Sequence, residues 1–333
     1  MLSRYAAHAP CPPARAAAPR AVLLLALVLA ELAVRLAGSG AQGGSGYAPV
    51  KTGRRDRLPI NALGYRDLER VQPKPEGVRR VVCLGDSFTW GVGVLFDDAW
   101  PQRIERTLSR TRGERWEAVN LAEPGMNAVE ESQRLASEGF GYGPDVVVMG
   151  WVLNDSEDES AAEARRAEDW AEEQQRQKGA LEAFLDRSAL VRLVRTRVAA
   201  TIENRRRITG YRSMYEESYK GWSAAKGALS AMGGMCKAHG VPFVVVIFPL
   251  FANPLDARYP FAELHAKVAQ AAEQAGAKVL DLLPRYRGLD WRLLVVDGTD
   301  DEHPNEIAQR IAAQAIAHSV DEIVPRSPAA ARP

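Results

Sequence analysis

Apolar residues in this chain gather into short unbroken runs, and the segments between them place apolar positions three and four apart. Val81-Val82-Cys83-Leu84, Val146-Val147-Val148-Met149 and Phe243-Val244-Val245-Val246-Ile247 show no alternation of apolar and polar residues. Such runs suit strands buried on both faces, whereas a strand with one wet face alternates. The pattern predicts strands at 79–86, 116–121, 145–151, 242–249 and 278–283. Helices are expected at 100–111, 128–139, 225–239, 261–275 and 305–318. Strand and helix in alternation imply a parallel sheet with helices on both sides, because each parallel connection crosses back over the sheet. Ligands of such sheets bind beyond the carboxyl ends of the strands.

Two stretches interrupt the alternation. Near the N-terminus, Ala21 to Ala30 is wholly apolar, with Arg4, Arg15 and Arg20 before it and Glu31 and Arg35 after it. The basic flank puts residues 1–20 on the cytoplasmic side. The run reads as a signal anchor over 21–37, with the rest of the chain outside the cytoplasm. The competing reading is a signal peptide cleaved after Ser39-Gly40-Ala41, but Glu31 and Arg35 are atypical of a cleavage region. A linker and arm follow over 38–78, Gly/Ser-rich from Gly38 to Gly46. The second interruption is an insert at 156–222, acidic from Glu157 to Glu173 and basic from Arg187 to Arg207. Leu190, Val191, Val194, Val198 and Ile202 form an apolar stripe at helical spacing within it. It reads as a helical cap packed on the domain, in preference to a basic amphipathic helix lying on a membrane. Tyr211, Tyr215, Tyr219 and Trp222 close the insert and read as packing rather than as the border of a carbohydrate site. Residues 321–333 read as a disordered tail.

Composition removes several classes of function. At 333 residues the chain can bury a sizeable core in one or two domains. Lys and Arg number 43 against 42 Asp and Glu, and this balance invites no nucleic-acid partner. The three cysteines, Cys11, Cys83 and Cys236, form no metal-binding spacing, so no metal or cofactor is expected. Cys11 precedes the apolar run, so a lipoprotein signal does not fit.

Residues able to do chemistry sit where strands end. Ser87 follows the first run, within Gly85-Asp86-Ser87. Gly125 closes Asn120-Leu121-Ala122-Glu123-Pro124-Gly125, and Asn154 follows the third strand in Gly150-Trp151-Val152-Leu153-Asn154-Asp155. Asp300-Asp301-Glu302-His303 precedes the last helix. A serine hydroxyl is a weak nucleophile until an imidazole takes its proton, and that imidazole needs its second nitrogen held by a carboxylate. An oxyanion needs convergent donors, for which glycine backbone and an Asn amide are suited. Each residue also has a plain reading: Ser87, Asn154 and Asn305 as helix caps, Gly125 as a loop glycine. Together, in this order, they favour acyl-transfer chemistry. The Gly-x-Ser-x-Gly elbow of the α/β-hydrolases is absent around Ser87. His8, His239, His265 and His318 read as structural or solvated.

These four blocks, spanning Val81 to about Ala317 apart from the insert, resemble the SGNH (GDSL-type) hydrolase family. The resemblance implies a flavodoxin-like three-layer α/β/α domain over 79–320. It implies Ser87 as nucleophile, His303 as general base and Asp300 as the carboxylate orienting it, with Asp301 the rival. The oxyanion hole would be the N–H groups of Ser87 and Gly125 and the side-chain amide of Asn154. Asn61-Ala62-Leu63-Gly64-Tyr65-Arg66-Asp67 resembles a short motif preceding the catalytic domain in membrane-anchored bacterial relatives; its plain reading is a turn. The expected function is a serine esterase acting on O-acyl esters, O-acetyl foremost, of an extracytoplasmic glycan. The alternatives are an O-acyltransferase using the same residues, a lysophospholipase or thioesterase, and a non-catalytic glycan-assembly protein.

Overall fold

A computed structural model describes residues 18–40, 59–158, 188–296 and 302–326. The tail before 18, most of the linker, the acidic part of the insert, Asp300, Asp301 and the chain beyond 326 lie outside the described residues. In chain order the elements are α1 (Ala18–Gly40), β1 (Val78–Gly85), α2 (Ser87–Trp90), α3 (Trp100–Arg112), β2 (Arg115–Asn120), α4 (Ala128–Ser137) and β3 (Val146–Trp151). They continue with α5 (Ala189–Met214), α6 (Lys220–Ala238), β4 (Phe243–Ile247), α7 (Ala262–Gln274), β5 (Lys278–Asp281), α8 (Leu283–Tyr286) and α9 (Glu306–Ile323). The chain divides into two units, Met1–Ala48 with Gln174–Glu203, and Pro49–Glu173 with Asn204–Pro333.

The larger unit holds the sheet. Its strands run in the order β2-β1-β3-β4-β5 and every pairing is parallel, as the unbroken apolar runs predict. Val82 stands opposite Val119 on one side and Val147 on the other, and Gly85 pairs with Gly150 at the carboxyl edge. The central strands are sealed: Val81 to Leu84, Val146 to Met149 and Val244 to Ile247 are wholly buried. Burying side chains of this size stabilises by about 1.5–3 kcal/mol each. Helix α3 packs with α9, and α6 packs with both α4 and α7, which gives helical layers on the two faces of the sheet.

Several boundaries move from expectation. Helix α6 begins at Lys220, inside the expected end of the insert, because Trp222 and Ala225 of its first turns are buried in the core. Helix α9 runs to Ile323, so the expected tail starts within it; Val320 and Val324 are buried and hold that last turn. Tyr215 and Trp222 are packing residues as expected, their rings tilted against each other at 4.9 Å, with Trp151 donating to the Tyr215 hydroxyl at 3.0 Å. The arm at 61–67 is the turn of the plain reading, yet it is anchored deeply. Asn61 Oδ1 accepts from Leu63 N and Tyr65 N, Tyr65 and Asp67 are buried, and Arg66 is 2 % exposed.

In the smaller unit, α1 is helical across the expected anchor. Among the described residues, however, no helix is long and apolar enough to cross a membrane. Glu31 and Arg35 interrupt the apolar run and form an ion pair at 2.7 Å. The Glu31 carboxylate also accepts from the Ser188 hydroxyl and from Ala189 N and Leu190 N, so it caps the start of α5. Val194, Val198 and Ile202, from the stripe within α5, are 50–53 % exposed.

Candidate active site

Ser87, Gly125, Asn154 and His303 all sit at the carboxyl edge of the sheet, where such folds bind ligands. Strand β1 ends in Gly85, whose backbone (φ +147°) and surroundings exclude a side chain: a Cβ there would strike Thr89 and crowd Gly150 O at 3.1 Å. The chain turns at once into α2, and the cap of that helix is Asp86, whose Oδ1 accepts from Phe88 N at 2.9 Å. Ser87 is therefore not the cap, and its hydroxyl, 3.4 Å from Asp86 Oδ2, has a second and closer partner. That partner is His303: Nε2 lies 2.9 Å from Ser87 Oγ.

The position of His303 is set by the chain on both sides of it. Val296 N donates to His303 O at 3.1 Å, and Pro304 bridges to Val295. Asn305 then caps α9 by accepting from Ile307 N and Ala308 N, which is its plain reading. Its amide donates back to Leu293 O and Val295 O, so the loop before α9 is pinned twice. Glu302 forms an ion pair with Arg207, which also reaches Asn253 Oδ1 at 3.1 Å. The Phe88 ring packs against the imidazole at 5.5 Å. Asp300 and Asp301 lie outside the described residues.

Asn154 occupies a single 3-10 turn, Leu153–Ser156, directly after β3. It does not cap a helix. Its Nδ2 donates to Asp86 Oδ2 at 3.0 Å, which uses one amide hydrogen and aims the group towards the Ser87 corner. Gly125 belongs to a loop held against β1 by Leu121 N to Cys83 O at 2.9 Å and Glu123 N to Gly85 O at 3.3 Å. Its φ of +84°, with open space where a Cβ would stand, makes the glycine a conformational requirement. Beside Gly125 opens a groove of about 520 Å³ lined by Glu123, Glu130, Gln133, Arg134 and Glu138, a polar and mainly acidic wall.

The electrostatics centre on a residue to which sequence reasoning gave no role. Asp86 is 1 % exposed, and burial pushes its carboxyl above the usual range. The Phe88 N–H, the Asn154 amide, the His303 charge and the Ser87 hydroxyl act against that shift. One carboxylate thus orients the start of α2 and the Asn154 amide together. Arg66 is a second such residue: it donates to Trp90 O at 2.9 Å, to Gly91 O and to Val94 O, bracing the segment after α2. The signal for both was proximity in sequence to singled-out blocks; Trp90, a partner of Arg66, is 24 residues away and Asn154, a partner of Asp86, is 68 away, both invisible to spacing.

The remaining described histidines stand apart from this corner. His265 is buried, with Nδ1 2.9 Å from Asp281 Oδ1 and Nε2 3.2 Å from the Tyr259 hydroxyl, joining β5 to the segment after β4. His239 stacks on Phe140 at 3.9 Å, and His318 faces Glu322 on the surface. Among the described residues no group of acidic, histidine and cysteine side chains could hold a metal ion.

No curated protein matches the sequence. The chain is similar to solved structures at low identity. One is TesA, 14 % identical with a TM-score of 0.46, covering 73 % of this chain and 99 % of its own. Another is the psychrotrophic esterase EstA of Pseudoalteromonas sp., 14 % identical with a TM-score of 0.43, covering 73 % of this chain and 97 % of its own. A third is a two-domain esterase active on acetylated mannans, 11 % identical with a TM-score of 0.43, covering 74 % of this chain and 49 % of its own. The sequence itself matches the model of the GDSL-like lipase/acylhydrolase family over residues 83–311, a span from β1 into α9 that contains Asp86, Ser87, Gly125, Asn154 and His303. The chain is an esterase-type hydrolase and belongs to that family.

Proposed function

We propose that the protein is a serine esterase that removes O-acyl groups, acetyl foremost, from an extracytoplasmic glycan, and that its N-terminal unit holds it at a membrane. The observation carrying the chemistry is the 2.9 Å approach of His303 Nε2 to Ser87 Oγ. His303 takes the hydroxyl proton as Ser87 attacks the ester carbonyl. The resulting oxyanion is received by Ser87 N–H, Gly125 N–H and the amide hydrogen of Asn154 that Asp86 leaves unused. Collapse expels the alcohol with the proton from His303, and a water activated by the same imidazole releases the acyl group from Ser87. Asp300 orients the imidazole in this scheme.

The groove beside Gly125 supports a hydroxyl-rich alcohol. Its carboxylates accept hydrogen bonds from hydroxyl groups and repel a phosphate, which disfavours a lysophospholipid. The membrane reading draws on the exposed Leu and Val side chains of α1 and on the half-exposed stripe of α5, since contiguous exposed apolar surface marks an interaction site.

The test is purified full-length protein in detergent, assayed on acetyl and long-chain esters and on acetylated oligosaccharides. Acetate release that saturates with the oligosaccharides and disappears in Ser87→Ala is the expected result. A preference for long-chain esters overturns the substrate, and acyl transfer to an added sugar without acetate release overturns hydrolysis.

A further inference from the structure

A buried chain of hydrogen bonds outside the Ser87–His303 pair has one consistent direction. His265 of α7 is 2 % exposed and Tyr259 is 5 % exposed. Leu250 N donates to the Tyr259 hydroxyl at 2.9 Å. Burial pushes that hydroxyl well above its ordinary range, so it keeps its proton and must place it on an acceptor. Among the described residues that acceptor is His265 Nε2, at 3.2 Å. Nε2 therefore carries no hydrogen, and the ring proton sits on Nδ1, 2.9 Å from Asp281 Oδ1. The opposite tautomer would set one acceptor, Nδ1, against another, the carboxylate. An imidazolium would leave the Tyr259 proton without an acceptor among the described residues.

One end of this chain starts from the sheet. Asp281 closes β5, stands opposite Ile247 of β4, and accepts from Leu283 N at 2.9 Å as well. The other end meets the candidate active site twice, through segment 250–253, within which Asn253 Nδ2 donates to Leu250 O at 3.1 Å. Phe251 packs at 6.2 Å against Phe88, the residue after Ser87, and Phe88 packs at 5.5 Å against the His303 ring. Asn253 Oδ1 accepts from Arg207 at 3.1 Å, and Arg207 pairs with Glu302, the residue before His303. We propose that His265 is a positioning residue for His303: as the neutral Nδ1–H tautomer it joins Asp281 to Tyr259 and so fixes the segment that supports the His303 imidazole through Phe251 and Asn253.

This inference rests on the reading of Ser87 and His303 as the catalytic pair, which loss of ester cleavage in Ser87→Ala tests separately. The sample is purified full-length protein in detergent, with a short acetyl ester as probe. Tyr259→Phe keeps the ring and deletes the hydroxyl, and His265→Leu deletes both ring nitrogens. His265→Gln keeps an acceptor for Tyr259 and a donor for Asp281. Tyr259→Phe and His265→Leu should each lower kcat by about tenfold at nearly unchanged KM, the split expected of a misplaced base rather than of lost binding. The double variant should be no slower than either, because both substitutions cut one chain. His265→Gln should recover most of kcat. A residue that merely stabilised the fold would lower Tm and leave kcat untouched at temperatures well below it. NMR with 15N-labelled histidine reads the chain directly. At neutral pH the His265 ring should show the Nδ1–H tautomer, and the His303 ring signals should move in Tyr259→Phe whether or not ester is cleaved. An Nε2–H tautomer or an imidazolium at His265, unmoved His303 signals, additive losses in the double variant, or full kcat in Tyr259→Phe overturns the proposal. If His265→Leu does not fold, Tyr259→Phe and the spectra still decide it.

Discussion

At the scale of single residues, the corner is built from short polar contacts between groups far apart in the chain. Ser87 and His303 are 216 positions apart and meet at 2.9 Å; Asp86 and Asn154 are 68 apart and meet at 3.0 Å. The second contact sharpens the test of Asn154. In the proposed mechanism, replacing it by Ala removes one oxyanion donor, so kcat should fall by about 10²–10³ with little change in KM. Replacing it by Asp should do more damage. The new carboxylate repels the oxyanion and also faces the buried carboxyl of Asp86 where an amide donor stood, so Tm falls as well. A helix-cap role predicts the opposite order, since Asp caps as well as Asn. Steady-state kinetics and melting curves of the two variants separate these outcomes, and a stable, active Asn154→Asp enzyme removes Asn154 from the site.

At the scale of elements, the site depends on how α2 and α9 begin. Both start with an Asx cap: Asp86 for α2 and Asn305 for α9. The Asn305 cap has a functional consequence because His303 sits two residues ahead of it. Asn305 is 4 % exposed, accepts from two backbone N–H groups of α9 and donates to Leu293 O and Val295 O. Asn305→Ala should destabilise by about 2 kcal/mol, the upper range for a lost cap, because two carbonyls also lose a donor. Its kcat should fall together with Tm as the His303 segment loosens. Asn305→Asp keeps the cap and loses only the donations, so it should lie between Ala and wild type. An unchanged Tm in Asn305→Ala would show that the loop is held by other contacts, such as the Arg207–Glu302 pair.

Across the whole molecule, one carboxylate joins the arm, β1 and β3. Asp145 accepts from Lys74 Nζ, Arg79 Nη1 and Arg80 N, each at 2.7 Å. Burial alone would raise its pKa, but these three donors outweigh it and hold the group below its ordinary 3.8. A carboxylate depressed in the folded state gives stability that is present above the unfolded value and lost as pH falls through the folded one. Wild type should therefore exceed Asp145→Asn in Tm at neutral pH, and the gap should close as pH drops below about 4. A gap independent of pH in thermal melts would mean that the charge on Asp145 contributes nothing to folding.

The parallel sheet and the places of Ser87, Gly125, Asn154 and His303 along it were readable from one dimension. Strands sealed on both faces must be apolar throughout, and the candidate site residues sit where those runs stop. Val81 to Leu84 and Val146 to Met149 mark the sheet, and the residues just after them mark its working edge. Helix limits were less legible at α6 and α9, where burial of Trp222 and Val324, set by neighbouring elements, extends the helices beyond their periodic segments. The apolar run from Ala21 was legible as a helix, but the placement of Glu31 at the start of α5 required knowing which second helix it meets. Asp86 as a brace for Asn154, Arg66 as a brace after α2, and Arg207 beside Glu302 were decided only in three dimensions. A hydrogen bond or ion pair depends on a few ångströms between side chains from distant elements, and no spacing along the chain encodes that distance.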